Sequence, residues 1–220
     1  MDSWELSWEA LFAQPASSEG QATGPRLGVN YVQASAPFTS IDLPDASALS
    51  IDQDLAKYGI AGARAMVSFF QSEPQLVANQ HVLELGAGPG AVGLALAASG
   101  SGVASLLLTD LAHVVPLTRE NARSAGLQHA AIAAMLSGSC RLDVRELCWG
   151  EPLDAGIAAR PVDVVVASDC LYESTAHSAL LSTLLELTDP SRQAPQPTDA
   201  AASGRRHGIA FLAYKQRMPA

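Results

Sequence analysis

The chemistry-bearing residues cluster first in residues 81–96, HVLELGAGPGAVGLAL, where Glu84, Gly86, Gly88 and Gly90 form Glu-x-Gly-x-Gly-x-Gly. An apolar run meets a glycine turn, and an apolar pattern of small residues then resumes. This predicts a strand turning into a helix with a ligand lying against the turn's backbone. A Cβ on the turn would block that approach, which is why glycine is needed whatever the ligand is. With Ala91 the same residues also satisfy the looser dinucleotide pattern Gly-x-Gly-x-x-Ala, so the turn alone leaves a dinucleotide, a phosphate or another ligand open.

Three further features narrow the choice. Asp110 ends the next apolar run, and a carboxylate there can accept both hydroxyls of a ribose, in NAD or in S-adenosylmethionine alike. Glu84 stands inside a strand end, where an acid is costly unless hydrogen-bonded. It would repel a diphosphate, yet is tolerable beside a ligand that carries an ammonium and a sulfonium. The later segments LCWGEPLD and VVVASDCLYE, holding Trp149, Ser168, Asp169 and Tyr172, have no role in the dinucleotide pattern.

The elements that must position these residues alternate along the chain. Strands are expected over 80–85, 103–109, near 139–144, 162–168 and 208–214, with helices over about 54–71, 90–99, 113–125 and 175–188. Asp52 or Asp54 would cap the first of these helices, and Gly126 would end the third. VDVVVAS is apolar throughout, as a strand buried on both faces should be. The alternation predicts an α/β fold with a doubly wound, mainly parallel sheet, and its ligand at the carboxyl ends of the strands. Residues 1–53 form an N-terminal extension, in which Trp4, Trp8, Leu11 and Phe12 have helical spacing and RLGVNYVQ and ALSID are short extended candidates. Residues 14–25 look mobile, and the polar, Pro-rich stretch 189–207 is expected to be a disordered loop inside the main domain, 54–217.

Of the 220 residues, 48% are hydrophobic and 16% charged, and the net charge is −9. This is a globular composition with room for a core. The 13 basic residues are scattered, with Arg205 and Arg206 the only adjacent pair, so a nucleic-acid partner is not expected. No run is apolar enough to span a membrane, and the acidic start MDSWELSWEALF lacks the features of a signal peptide. Cys140, Cys148 and Cys170 fit neither a zinc pattern nor a disulfide framework. The expectation is a cytoplasmic monomer, with the nucleus as the alternative compartment, acting without a metal.

Five ordered segments carry a resemblance: VLELGAGPGAVGLALA, LLLTDL…PLTRENARSAG, VRELCWGEPLD, VDVVVASDCLYE and AFLAYKQR. Over roughly residues 54–217 the chain resembles the seven-strand methyltransferases of family 16, which include protein-lysine methyltransferases. The resemblance implies the cofactor S-adenosyl-L-methionine and a protein substrate. It implies that the backbone at Gly86, Ala87 and Gly88 carries the methionine moiety, with Glu84 beside it. Asp110 would hold the ribose, Trp149 would lie by the adenine, and Ser168 would line the same pocket. Asp169 and Tyr172 match the family's Asp/Glu-x-x-Tyr signature at the methyl-transfer site, and Asn121 falls in a helix where the family tends to have Asn. On this reading Asp169 receives a lysine ammonium and orients the amine, while Tyr172 walls its channel and offers a hydroxyl. Cys170 reads as a small buried side chain, not a nucleophile.

Two departures stand beside the resemblance. Ala61 or Gly62 occupies the place of a tryptophan that in the family packs on the cofactor pocket, which would weaken cofactor binding. The sequence ends at Ala220, shortly after the fifth core strand, so two later family strands are not accounted for and the fifth would be an exposed apolar edge, as in a truncated product. The alternatives are a small-molecule or arginine methyltransferase on the same scaffold, a catalytically weak cofactor-binding protein that works through protein contacts, and a dinucleotide oxidoreductase.

Overall fold

The computed structural model describes residues 27–28, 40–42, 48–50, 61–137, 141–189 and 208–214. The elements are β1 (Leu27–Gly28), β2 (Ser40–Asp42), β3 (Ala48–Ser50), α1 (Ala61–Ser72), β4 (His81–Leu85), α2 (Ala91–Ala98), β5 (Ser105–Asp110), α3 (Val115–Gln128), α4 (Ala130–Leu136), β6 (Leu142–Glu146), α5 (Ala155–Ala158), β7 (Val164–Ser168), α6 (His177–Leu187) and β8 (Ile209–Ala213). Short 3-10 turns cover Pro74–Leu76 and Ser174–Ala176.

One sheet runs in the order β1-β8-β7-β4-β5-β6, and all its pairings are parallel. A separate antiparallel pair joins β2 to β3. The sheet is the doubly wound architecture that the strand–helix alternation predicts. After β4 the chain builds outward to β5 and β6, then returns to place β7 on the other side of β4. The order reverses between β4 and β7, and a crevice opens at their carboxyl ends.

Each strand's two-residue period divides the core between the faces. Val82, Leu106, Leu108, Val144, Val164, Val166 and Phe211 face a layer that holds Met66, Val67, Phe70, Leu94, Ala122 and Ile132 from α1 to α4. Leu83, Leu85, Leu107, Val165 and Leu212 face Ile157, Leu180, Leu184 and Leu187 from α5 and α6. Leu83, Leu85, Leu106 and Leu108 are fully enclosed, and burying each contributes roughly 1.5–3 kcal/mol. In α1, Ala63, Met66, Val67 and Phe70 fall at helical spacing on the buried stripe, and Phe70 meets Phe211 edge-on at 5.1 Å between centroids. α2 is buried on nearly all sides, which explains its almost wholly apolar composition.

Some expectations need correction. Gly126 does not end its helix: α3 continues to Gln128, and α4, which the pattern did not suggest, follows at once. A Cβ on Gly126 would lie 2.8 Å from Leu136 Cδ1, so this glycine serves close packing of α3 on α4. The β8 edge is not left fully open either, because β1 pairs with it at Ala210 and Phe211, while Ile209 stays 43% exposed. The Asp52 or Asp54 cap, the Trp4–Phe12 helix, the mobile stretch 14–25 and all but Asp189 of the 189–207 loop lie outside the described residues. Among the described residues no helix is long and apolar enough to cross a membrane.

Candidate functional site

The crevice at the β4/β7 reversal is a cavity of about 660 Å³ that takes residues from four strand ends. Gly86 and Gly88 come from the turn after β4, Asp110 from the end of β5, Trp149 from the segment after β6, and Ser168, Asp169 and Tyr172 from the end of β7. The volume lies within the range of small-molecule and cofactor sites.

The glycine turn is left-handed at Gly86 (φ +62°) and Gly88 (φ +53°), where a side chain is disfavoured. The two positions differ in what surrounds them. A Cβ on Gly86 would sit 2.8 Å from Cys170 Sγ and 3.1 Å from Trp149 Cζ2, whereas one on Gly88 would meet nothing within 4 Å. Gly86 is therefore packed against the protein, and Gly88 faces open space.

Hydrogen bonds fasten the turn to β5 and α3. The Ala87 amide donates to Thr109 O at 2.9 Å, and the Gly88 amide to Asp110 Oδ2 at 2.7 Å. The Thr118 hydroxyl donates to Gly88 O at 2.6 Å, and the Asn121 side-chain amide to Pro89 O at 2.9 Å. Asp110 Oδ1 accepts the Leu111 amide at 2.7 Å. Each Asp110 oxygen thus accepts one backbone amide, and a carboxylate has further lone-pair capacity for hydroxyl donors.

Glu84 and Ala87 are not among the cavity-lining residues. Glu84 shares the strand face of Val82, so its side chain enters the layer beneath α2, where it is 1% exposed and Oε2 accepts the Gly93 amide at 2.9 Å. Burial pushes its carboxyl up to about 8; the Gly93 amide opposes the shift and the nearby Asp110 charge adds to it. At neutral pH Glu84 is mostly a neutral acid tying β4 to α2.

Asp169 takes left-handed backbone (φ 54°), and its amide donates to Ala213 O of β8 at 2.7 Å. Its Oδ2 accepts the Gly62 amide at 2.7 Å. Tyr172 lines the cavity with 74% of its surface exposed, at the mouth. Trp149 is half-buried and packed on the Leu83–Leu212 side of the core, and the amide of the next residue, Gly150, donates to Thr183 Oγ1 at 2.8 Å. Cys170 is buried, and its thiol donates to Leu85 O at 3.3 Å. Burial raises its pKa well above the usual range, and the charges of Glu84 and Asp110 add to this, so the thiol stays neutral. Cys148 is likewise pushed up, first by desolvation and then by Glu151.

The sequence reading did not assign roles to Gly62, Thr118 or His113, which respectively bind Asp169, hold the turn and line the cavity. Thr118 had a readable signal: with Asn121 it forms a polar pair at helical spacing within an otherwise apolar buried stripe of α3.

The sequence profile of a family described as lysine methyltransferase matches residues 45–201. The chain belongs to the lysine methyltransferase family. Its relatives include protein-lysine N-methyltransferase EFM6 of Saccharomyces cerevisiae, 35% identical over 118 residues, which are 49% of this chain and 44% of the relative. EFM3 of Chaetomium thermophilum is 29% identical over 191 residues, 81% of this chain and 54% of that protein. EEF1A lysine methyltransferase 3 of Mus musculus is 27% identical over 175 residues, 77% and 62% of the two chains. The chain spans about half the length of the first relatives it matches. A solved SAM-dependent methyltransferase from Aquifex aeolicus aligns with a TM-score of 0.41 and 18% identity over 56% of this chain and 58% of its own. In this lysine methyltransferase family member, the Asp169-x-x-Tyr172 pair and the glycine turn open onto one cavity.

Proposed function

We propose that the chain is a protein-lysine N-methyltransferase that uses S-adenosyl-L-methionine. One observation carries the reading: Asp169 and Tyr172 line the same cavity as Gly86, Gly88 and Asp110. An acid and a phenol suited to an amine thus share a space with a turn suited to a nucleoside-bearing ligand. The printed names of the relatives above support a protein lysine as acceptor.

The residues fit the cofactor. Gly88 leaves a backbone surface with nothing within 4 Å, a cradle that a side chain would fill. Asp110 would accept the ribose hydroxyls on the lone pairs its two amide bonds do not use. Trp149 would offer an aromatic face to the base, and Ser168 a small polar wall. When bound, the cofactor supplies an electrophilic methyl group on a sulfonium.

The acceptor must react as a neutral amine, although a free lysine has a pKa of about 10.4. Asp169 attracts the ammonium into the cavity and orients the nitrogen. Its negative charge alone favours the protonated form, so partial desolvation must help the proton leave to water. Tyr172 covers the entrance, with its ring against the lysine stem and its hydroxyl available for a hydrogen bond. Alignment of the amine within the cavity supplies most of the rate.

The test is transfer of labelled methyl from S-adenosylmethionine to elongation factor 1A, with Asp169→Ala as control. Label on a lysine, reduced roughly 100-fold or more in the control, supports the reading. Cofactor binding without transfer to any protein acceptor would replace it with that of a binding protein acting through contacts.

A further inference from the structure

Asp169 is held from two directions, by two distant parts of the chain. Its amide donates to Ala213 O in β8, which fixes the main chain at the end of β7. Its carboxylate reaches back to α1, where Oδ2 accepts the Gly62 amide at 2.7 Å. Gly62 lies in the first turn of α1, where amides have no acceptor within the helix and the helix dipole is positive. A carboxylate is the natural occupant of such a position.

Gly62 also has to be a glycine for this contact. A Cβ built there would lie 2.8 Å from Asp169 Cγ and from each of its carboxylate oxygens. No positive φ is recorded at Gly62, so backbone freedom is not the reason. The reason is that the carboxylate rests directly on the Gly62 backbone. A large side chain at 62, such as the tryptophan the family resemblance suggests, would displace that carboxylate.

We propose that Gly62 is a positioning residue: its amide sets the direction in which the Asp169 carboxylate is presented to the cavity. The inference rests on the methyltransferase reading above for its catalytic meaning. An aspartate has only two side-chain torsions, and with one oxygen bonded to a helix amide the carboxylate plane has little freedom. The lysine nitrogen is oriented by that carboxylate, and a displacement on the scale of 1 Å is enough to cost about 100-fold in rate.

The test uses the intact chain in three forms: wild type, Gly62→Ala and Asp169→Asn. A Cβ at 62 would lie 2.8 Å from the Asp169 carboxylate, so a merely structural role predicts that Gly62→Ala melts lower while the folded protein turns over normally. The positioning role predicts instead that kcat for methylation of elongation factor 1A falls roughly tenfold to 100-fold. The dissociation constant for S-adenosylhomocysteine should stay within about twofold, because Gly62 is not among the cavity-lining residues. A kcat within about twofold of wild type overturns the proposal.

A second readout does not depend on activity. In the 15N-labelled wild type, the Gly62 amide resonance should follow a carboxylate titration that disappears in Asp169→Asn. An amide that ignores pH overturns the proposal whether or not any protein is methylated. An amide that titrates in a chain that methylates nothing upholds the contact and defeats the methyltransferase reading.

Discussion

The Gly88 amide and Asp110 Oδ2 are 2.7 Å apart, so the carboxylate at the end of β5 is also the clasp of the glycine turn. Under the proposed function, the group that would accept the ribose hydroxyls is thereby held by the backbone that would carry the rest of the ligand. Asp110→Ala removes both functions. A hydrogen bond to a charged group contributes about 1.5–3 kcal/mol, so affinity for S-adenosylhomocysteine should fall roughly tenfold to 100-fold. Calorimetric titration measures it; an unchanged dissociation constant would place the ribose elsewhere.

Gly86 and Gly88 separate packing from the binding role proposed for the turn. Both have positive φ, and alanine at either position costs roughly 1–2 kcal/mol in backbone strain. At Gly86 the new methyl would also press on Cys170 Sγ and Trp149, so Gly86→Ala should lose more stability than Gly88→Ala as well as ligand affinity. Gly88→Ala meets no protein atom within 4 Å, so beyond the strain its effect should fall on affinity. Urea melts and titrations of the two variants test the contrast, and equal losses of stability would argue against it.

Glu84 should make stability depend on pH. Its carboxyl titrates at about 8 in the folded chain against an ordinary 4.5. Between those values the folded state keeps a proton that the unfolded state has released, so this group's contribution falls as pH rises from 4.5 to 8 and is flat above. Glu84→Gln keeps an acceptor for the Gly93 amide and removes the titration. The variant should be more stable than wild type above pH 8 by on the order of a few kcal/mol, with the gap closing towards pH 4.5. Chemical unfolding across that range checks it; a gap independent of pH would mean Glu84 is not held as a neutral acid.

Tyr172 is exposed, so removing it should change stability by no more than about 0.5 kcal/mol. Under the proposed function Tyr172→Ala should still weaken methyl transfer, chiefly through KM for the protein acceptor. Tyr172→Phe separates ring from hydroxyl: near-normal KM would assign the role to the ring.

The strand positions were legible because buried parallel strands leave uninterrupted apolar runs such as VVVAS, and the glycine turn because it must bend after one of them. Glu84 was legible as a costly buried acid, but which way it points depends on strand register: it shares the face of Val82 under α2, away from the cavity. The Gly62–Asp169 contact joins residues 107 positions apart and leaves only an unremarkable glycine in the sequence. β1 lies within the extended candidate RLGVNYVQ, but its pairing with β8 left no sign in the sequence, since two residues carry no period. Gly126 misled because a glycine that admits a neighbouring helix looks, in sequence, like one that ends its own.

The most direct test of the central claim is calorimetric titration of the folded chain with S-adenosylhomocysteine beside NADH. The account predicts micromolar binding of the thioether and none of the dinucleotide. Binding of NADH alone, or of neither ligand, would contradict it.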